Sequence, residues 1–164
     1  MMSNDLHIRL APVALRSSLL VSLVGVTMMS CTGPEKPLCE EVDPFIGTGG
    51  HGHTYPGATV PFGMVQLSPD TRLEGWDGCG GFHITDDELY GFSHTHLQGT
   101  GVSDYGDVLL MPTVGPMDTG SVWRERYRDR FVQGSQEAHA GYYRCALERS
   151  GLEVELTASE RVGH

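Results

Sequence analysis

Between Val42 and Asp107, Gly or Pro interrupts the chain every few residues. The stretch reads VDPFIGTGGHGHTYPGATVPFGMVQLSPD, then GWDGCGG, then GFSHTHLQGTGVSDYGD. Pro lacks the backbone donor a helix needs, and Gly costs conformational entropy in any regular element, so much of this region is predicted to be loop. These loops carry His, Trp, Tyr, Asp and Cys. Loops rich in hydrogen-bonding side chains, held by a rigid scaffold, are where binding sites concentrate. The content alone predicts the wall of a polar ligand pocket.

Past Asp43, helical periodicity is hard to find. Short apolar runs stand between Gly, Pro and Asp: Met64–Leu67, Val108–Met111, Tyr142–Cys145 and Leu152–Leu156. The last alternates apolar and acidic residues, the mark of a strand with one wet face. Ser150-Gly151 is a turn signal, so 141–147 and 152–157 are predicted to form a hairpin. The expected class is all-β, a β-sandwich-type domain over 42–164. The chain stops within what reads as a continuing β pattern, so the sandwich is expected to be incomplete at its C-terminus. The run WRERYRDR, from Trp123 to Arg130, concentrates basic charge, and its arginines are expected to pair with Glu125 and Asp129 on a solvated face.

The first 30 residues have the layout of an export signal. His7, Arg9 and Arg16 precede an uncharged, mostly apolar run from Ser17 to Ser30, too short for a comfortable membrane span. Cys31 follows a small residue, as in a loose lipoprotein box, and is the candidate lipidation site; cleavage nearby by ordinary signal peptidase is the alternative. Residues 31–41 are polar and Pro-containing, as a linker would be. The expected location is that of an exported bacterial lipoprotein, periplasmic or at the cell surface, held to the membrane by its lipid. Of 11 basic and 21 acidic residues, the leader holds Arg9, Arg16 and Asp5, which leaves the remainder a formal charge of −11. That balance argues against nucleic acid, whose phosphates need Lys and Arg. After Cys31 there remain Cys39, Cys79 and Cys145, with no C-x-x-C spacing and no zinc motif.

Several residues are candidates for chemistry. Trp76 sits among glycines that make a poor core; an exposed indole offers a flat face to the C–H side of a pyranose, whereas a buried one would cap the sandwich. Cys79 lies in Gly78-Cys79-Gly80-Gly81, and as a nucleophile it would need a base such as His83; shaping a pocket, or packing as an inert thiol, are the other readings. His51/His53 and His94/His96 are two His-x-His pairs, and on a strand each would present both imidazoles to one face. Neither pair has a third metal ligand at a familiar spacing, so hydrogen bonding is the expected role, best for His94 and His96, which Ser93, Thr95 and Gln98 surround. Asp104 and Asp107 are the best carboxylates. Two aspartates three residues apart could supply a general acid and a general base, though turn capping also explains aspartates in such a loop. Tyr55 and Phe62 are expected to pack beneath the pocket.

The two longest blocks, VDPFIGTGGHGHTYPGATVPFGMVQLSPDT and GFSHTHLQGTGVSDYGD, resemble the opening of glycoside hydrolase family 92, the calcium-dependent exo-acting α-mannosidases. The resemblance runs from about Glu41 to the last residue, and Gly81-Phe82 departs from the family's more polar pattern. It implies an N-terminal β-sandwich whose partner, a helical (α/α)₆-type domain carrying the catalytic Glu and Asp, lies beyond this sequence. It implies calcium for the intact enzyme, with no ligands located here, and mannose-containing glycans as substrate. It also implies a tryptophan of this segment at the sugar cleft between domains. The substrate-contact set is then Trp76, Cys79, His83, His94, His96, Asp104 and Asp107, with no catalytic and no metal-ligating residue. The isolated chain is expected to lack hydrolase activity; a stand-alone carbohydrate-binding module or a non-functional remnant are the alternatives.

Overall fold

The structure, a computed structural model, describes residues 36–117 and 126–164. The leader, Cys31, and Trp123 and Glu125 of the basic run lie outside the described residues. Among the described residues no helix is long and apolar enough to cross a membrane.

A 3-10 turn, Leu38–Glu41, precedes an all-antiparallel β domain. Strand β1 (Ala58–Thr59) pairs with β2 (Gln66–Asp70), and β2 pairs on its other side with β4 (Gly91–Ser93). A short ribbon joins β3 (Glu88–Leu89) to β5 (Asp129–Arg130). The last sheet runs β6 (Glu137–His139), β7 (Tyr142–Ala146) and β8 (Glu153–Thr157). β8 lies against β1 and β2, so the buried faces of the first and last sheets meet. Leu67, Phe92, Tyr143, Cys145, Leu147 and Leu156 fill the space between them. This is the sandwich-type architecture expected from the short, punctuated apolar runs.

The predicted hairpin forms, with Tyr143 opposite Leu156 and Cys145 opposite Val154. Tyr143 and Cys145 are fully buried, while Glu153 and Glu155 face water, as alternation requires. On the wet face Arg144 pairs with Glu153, and the Tyr142 hydroxyl donates to Glu155 Oε1 at 3.1 Å.

Two expectations need correction. Phe62 does not pack beneath anything: it is fully exposed on a turn closed by Gly63 N–H donating to Val60 O at 3.0 Å, whereas Tyr55 is buried as expected. The run Val108–Met111 is no strand; only Leu110 bridges, exchanging two hydrogen bonds with Phe92 at 2.8 and 2.9 Å. The final residues continue the β pattern by folding back beside the end of β8, where Ala158 and Gly163 form an antiparallel bridge. Thr157 and His164 exchange backbone bonds at 3.0 and 2.8 Å, and Glu160 O accepts from Met64 N at 2.7 Å.

The described part of the basic run pairs outward. Arg130 meets Asp87, and Arg128 lies 3.9 Å from Glu88 with its guanidinium 4.3 Å from the Tyr90 ring centre. Asp129 instead turns inward. Its carboxylate accepts the backbone N–H of Arg130 at 2.7 Å, Arg149 at 2.8 Å and Ser150 at 3.0 Å, joining β5 to the turn between β7 and β8. Burial alone would push this carboxyl up, yet the bonds from Ser150, Arg149 and Arg130 hold it below its ordinary range.

Asp129→Ala leaves three donors without a carboxylate, each worth about 1–3 kcal/mol when buried and unmet. We expect a loss of about 2–4 kcal/mol in urea unfolding. Because the folded-state pKa is depressed, this stabilisation is present above the unfolded value of about 3.9 and is lost as pH falls through the folded value. The stabilities of wild type and variant therefore converge on acidification.

Candidate functional site

The loop from Gly47 to Thr54 is shaped by backbone-to-backbone contact. Thr54 N–H donates to Gly47 O at 3.3 Å, and a Cβ on Gly52 would stand 2.0 Å from that same oxygen. Only glycine fits at 52, and this throws His51 and His53 to either side of the tight point. His53 itself has φ +55°, a left-handed conformation uncommon for a non-glycine residue. It is held there by Gly99 N–H donating to His53 O at 2.9 Å and by Gly80, whose Cβ position lies 3.2 Å from the His53 carbonyl carbon.

Facing this loop is a one-turn 3-10 helix, Trp76–Gly78, entered through Gly75 at φ +87°. Trp76 is 61% exposed. It does not cap the core, yet it is not loose. The His53 ring meets it edge-on, with centroids 5.0 Å apart and planes at 75°. Gly101 lies against the indole so closely that a Cβ there would be 1.9 Å from a ring carbon. The next residue, Asp77, turns back to the histidines: its Oδ1 is 2.6 Å from His51 Nδ1 and 3.4 Å from His53 Nε2. The His51 bond above all, and His53 after it, hold the Asp77 carboxyl below its usual range.

Cys79 is buried, and its thiol donates to Thr100 O. Burial pushes this thiol up, which keeps it protonated and unreactive. His83 is engaged elsewhere: Nδ1 pairs with Thr85 Oγ1 at 2.8 Å and Nε2 with Gly50 O at 3.2 Å. The arrangement supplies no activated nucleophile.

The pair His94/His96 does not share a face, because β4 ends at Ser93 and the chain turns. His94 Nδ1 donates to Val108 O at 3.0 Å. His96 points inward, Nδ1 donating to Gln66 O at 2.7 Å while Nε2 meets Asp70 Oδ1 at 2.8 Å and Ser93 Oγ at 3.1 Å. Both His96 and Asp70 are buried, and among the described residues Asp70 Oδ2 finds no hydrogen-bond partner. Gly81, at φ +77°, lies over this pair; a Cβ there would be 2.3 Å from Asp70 Oδ1.

Asp104 and Asp107 are both exposed and both serve the loop. Asp104 Oδ1 accepts from Tyr105 N at 2.9 Å. Asp107 is clamped to Thr95, whose hydroxyl donates to Asp107 Oδ2 at 3.2 Å and accepts from Asp107 N at 2.9 Å. Turn organisation therefore accounts for both.

Asp70, Cys79, His96 and Asp104 line one cavity of about 50 Å³. Small-molecule sites usually enclose roughly 300–1,000 Å³. This cavity is smaller than that range, and Trp76 is not among its lining residues.

The model of the glycosyl hydrolase family 92 N-terminal domain matches residues 41–164. The chain belongs to that family. Among solved structures it is similar to the family GH92 α-mannosidase BT3965 from Bacteroides thetaiotaomicron, determined in complex with mannoimidazole. The TM-score is 0.70 at 40% identity, over 77% of this chain and 17% of that one. It is also similar to the inverting GH92 mannosidase BT2199 of the same organism, with TM-score 0.62 and 30% identity over 79% of this chain and 18% of that one. An uncharacterized secreted glycosidase of Arthroderma benhamiae is 32% identical over 123 residues, 73% of this chain and 16% of the relative. The chain thus spans under one fifth of each of these relatives.

For a family 92 domain the structure adds two acids that the sequence reading passed over. Asp70 ends β2 and Asp77 follows the tryptophan, but neither stands at a motif spacing from the histidines it meets. Calcium, which the resemblance implies, prefers an all-oxygen shell. Among the described residues the group of three metal-capable side chains is His51, His53 and Asp77, two imidazoles to one carboxylate. That donor set does not suit calcium.

Thiol reactivity checks the burial of the site. Cys39 is exposed, Cys79 and Cys145 are buried, and burial raises the Cys145 thiol to about 12. In a Cys31→Ser chain, Ellman's reagent at neutral pH should react promptly with Cys39 alone. Cys79 and Cys145 should react only after denaturation.

Proposed function

We propose that this domain forms one wall of the mannoside-binding cleft of a family 92 α-mannosidase, with Trp76 as the sugar platform. The observation that carries the proposal is the Trp76 indole, exposed yet held by His53 at its edge and Gly101 against it. A clamped aromatic face offers a pyranose apolar contact at little entropic cost. Similarity to α-mannosidases, one of them bound to mannoimidazole, supports the substrate class.

Hydrolysis itself belongs to the intact enzyme. In a single-displacement route one carboxylic acid protonates the leaving oxygen while a carboxylate activates water on the opposite face. Asp104 and Asp107 are engaged with backbone and with Thr95, so the acid and base are assigned to the helical partner domain, and calcium to the intact enzyme. Phe62, Met64 and Tyr105 are exposed and line a neighbouring groove of about 440 Å³ that also holds Thr59, Gln66 and Gln98, a mixed surface suited to contact with that partner. The relative's description as secreted supports export. Lipidation at Cys31, which would tether the domain to the membrane, completes the proposal.

Methyl α-mannoside titrated into the chain should perturb the Trp76 indole resonance with millimolar affinity, and the response should vanish in Trp76→Ala. The chain alone should release no mannose from a mannobioside. In an intact enzyme carrying this domain, Trp76→Ala should lower kcat/KM at least tenfold, equivalent to ~1.4 kcal/mol. Mannose release by the chain alone, abolished by Asp104→Asn or Asp107→Asn, would overturn the assignment. So would micromolar mannoside affinity of the chain, the mark of a self-sufficient binding module.

A further inference from the structure

We propose that His51 Nδ1, His53 Nε2 and Asp77 Oδ1 form a binding site for a zinc-class divalent cation, distinct in chemistry from calcium. The proposal does not rest on mannoside recognition. These three atoms lie within 4.8 Å of one another, on two segments 24 to 26 residues apart that the fold brings face to face. For a tetrahedral ion with bonds of about 2.0–2.1 Å, ligand atoms sit about 3.3 Å from each other. His53 and Asp77 already stand at 3.4 Å. His51 is closer to Asp77, at 2.6 Å, but its side chain is 77% exposed and a rotation about its own bonds opens that gap.

The supports of the site differ in rigidity, which suits capture of an ion. His53 is buried, and its backbone occupies the left-handed region at φ +55°, fixed from both sides by Gly80 and Gly99. Such strain persists only where surrounding structure imposes it, and it gathers at functional positions. Gly52 cannot accept a Cβ, so the His-Gly-His spacing is enforced by contact with Gly47 O. Asp77 rides on the short 3-10 helix next to Trp76. His51 alone is free to swing, and it faces solvent.

Donor chemistry selects the metal. Two imidazole nitrogens and one carboxylate oxygen suit zinc, cobalt and nickel, whereas calcium and magnesium take oxygen shells. Three protein ligands leave a fourth position for water, the pattern of an open rather than a closed structural site. An ion held here would tie the loop carrying His51 and His53 to the helix carrying Trp76, and so fix the platform. The competing account is that both histidines simply hydrogen-bond to Asp77.

Calorimetry with ZnCl₂ on the metal-stripped full chain decides between them. We expect about one zinc ion bound per chain with micromolar affinity, and Ca²⁺ in tenfold excess should not displace it. His51→Ala and Asp77→Asn should each weaken zinc at least about tenfold. His51 is exposed, so that variant is expected to keep the wild-type circular dichroism even if Asp77→Asn perturbs the loop. Co²⁺ substitution should give visible absorption bands of tetrahedral intensity that disappear in His51→Ala. Zinc uptake unchanged in His51→Ala, absence of uptake by wild type, or displacement by Ca²⁺ would each overturn the proposal and leave the hydrogen-bonded cluster as the whole account.

Discussion

The buried contact between His96 and Asp70 is the constraint on which the rest of the site depends. Asp70 closes β2, and His96 stands on the loop that leaves β4, so their 2.8 Å contact ties that loop to the sheet. The second ring nitrogen of His96 returns to β2 at Gln66 O, making the histidine a two-point clasp on one strand. Gly81 fits over the pair without a side chain, and Thr71 and Arg72 N–H groups both reach Gly81 O at 2.7 and 3.1 Å. A buried polar group of this kind costs much if one partner is lost, because the other stays desolvated and unmet. Its removal would release the loop after β4 from β2.

From that clasp the site is built outward by glycines and by backbone contact, with few side chains spent on packing. Gly52, Gly81 and Gly101 each occupy places where a Cβ would fall within 2.5 Å of another atom. The chain folds its loops tightly there, with His53 and Cys79 buried between the glycines and Trp76 left exposed. Arg72 fastens the outer edge with a two-pronged bond to Asp86, at 2.7 and 2.8 Å. This is how a small domain presents an exposed indole: the ring is positioned by contacts with His53 and Gly101, while most of the residue stays open to solvent.

Different parts of this organisation were legible to different degrees. The hairpin 142–157 was readable because alternation is a local property, visible in Leu152–Leu156 and the turn before it. Tyr55 was readable as a buried residue from its neighbours, whereas for Trp76 they left exposure and core capping both open and the family resemblance favoured exposure. Phe62 was not, since a Pro-Phe-Gly turn gives no sign of which side faces the core, and the turn carries it to solvent. The equal treatment of His94 and His96 failed for a related reason. The spacing of two residues places side chains on one face only within a strand, and β4 ends at Ser93, before either histidine.

Sequence by itself determined the class of the fold, the hairpin, the loop-rich composition of the site and the family to which the chain belongs. These follow from local periodicity, from Gly and Pro punctuation, and from long motif blocks read in order. Only the tertiary structure decided which charged groups meet. Asp70 reaches His96 across 26 residues, and Asp77 reaches His51 and His53 across 26 and 24. Such meetings depend on the pairing of β2 with β4 and on loops closing to backbone contact, neither of which leaves a spacing in the sequence. The same physics turned Cys79 inward and His94 aside, because burial and hydrogen-bond satisfaction are set by the neighbours a residue acquires in space.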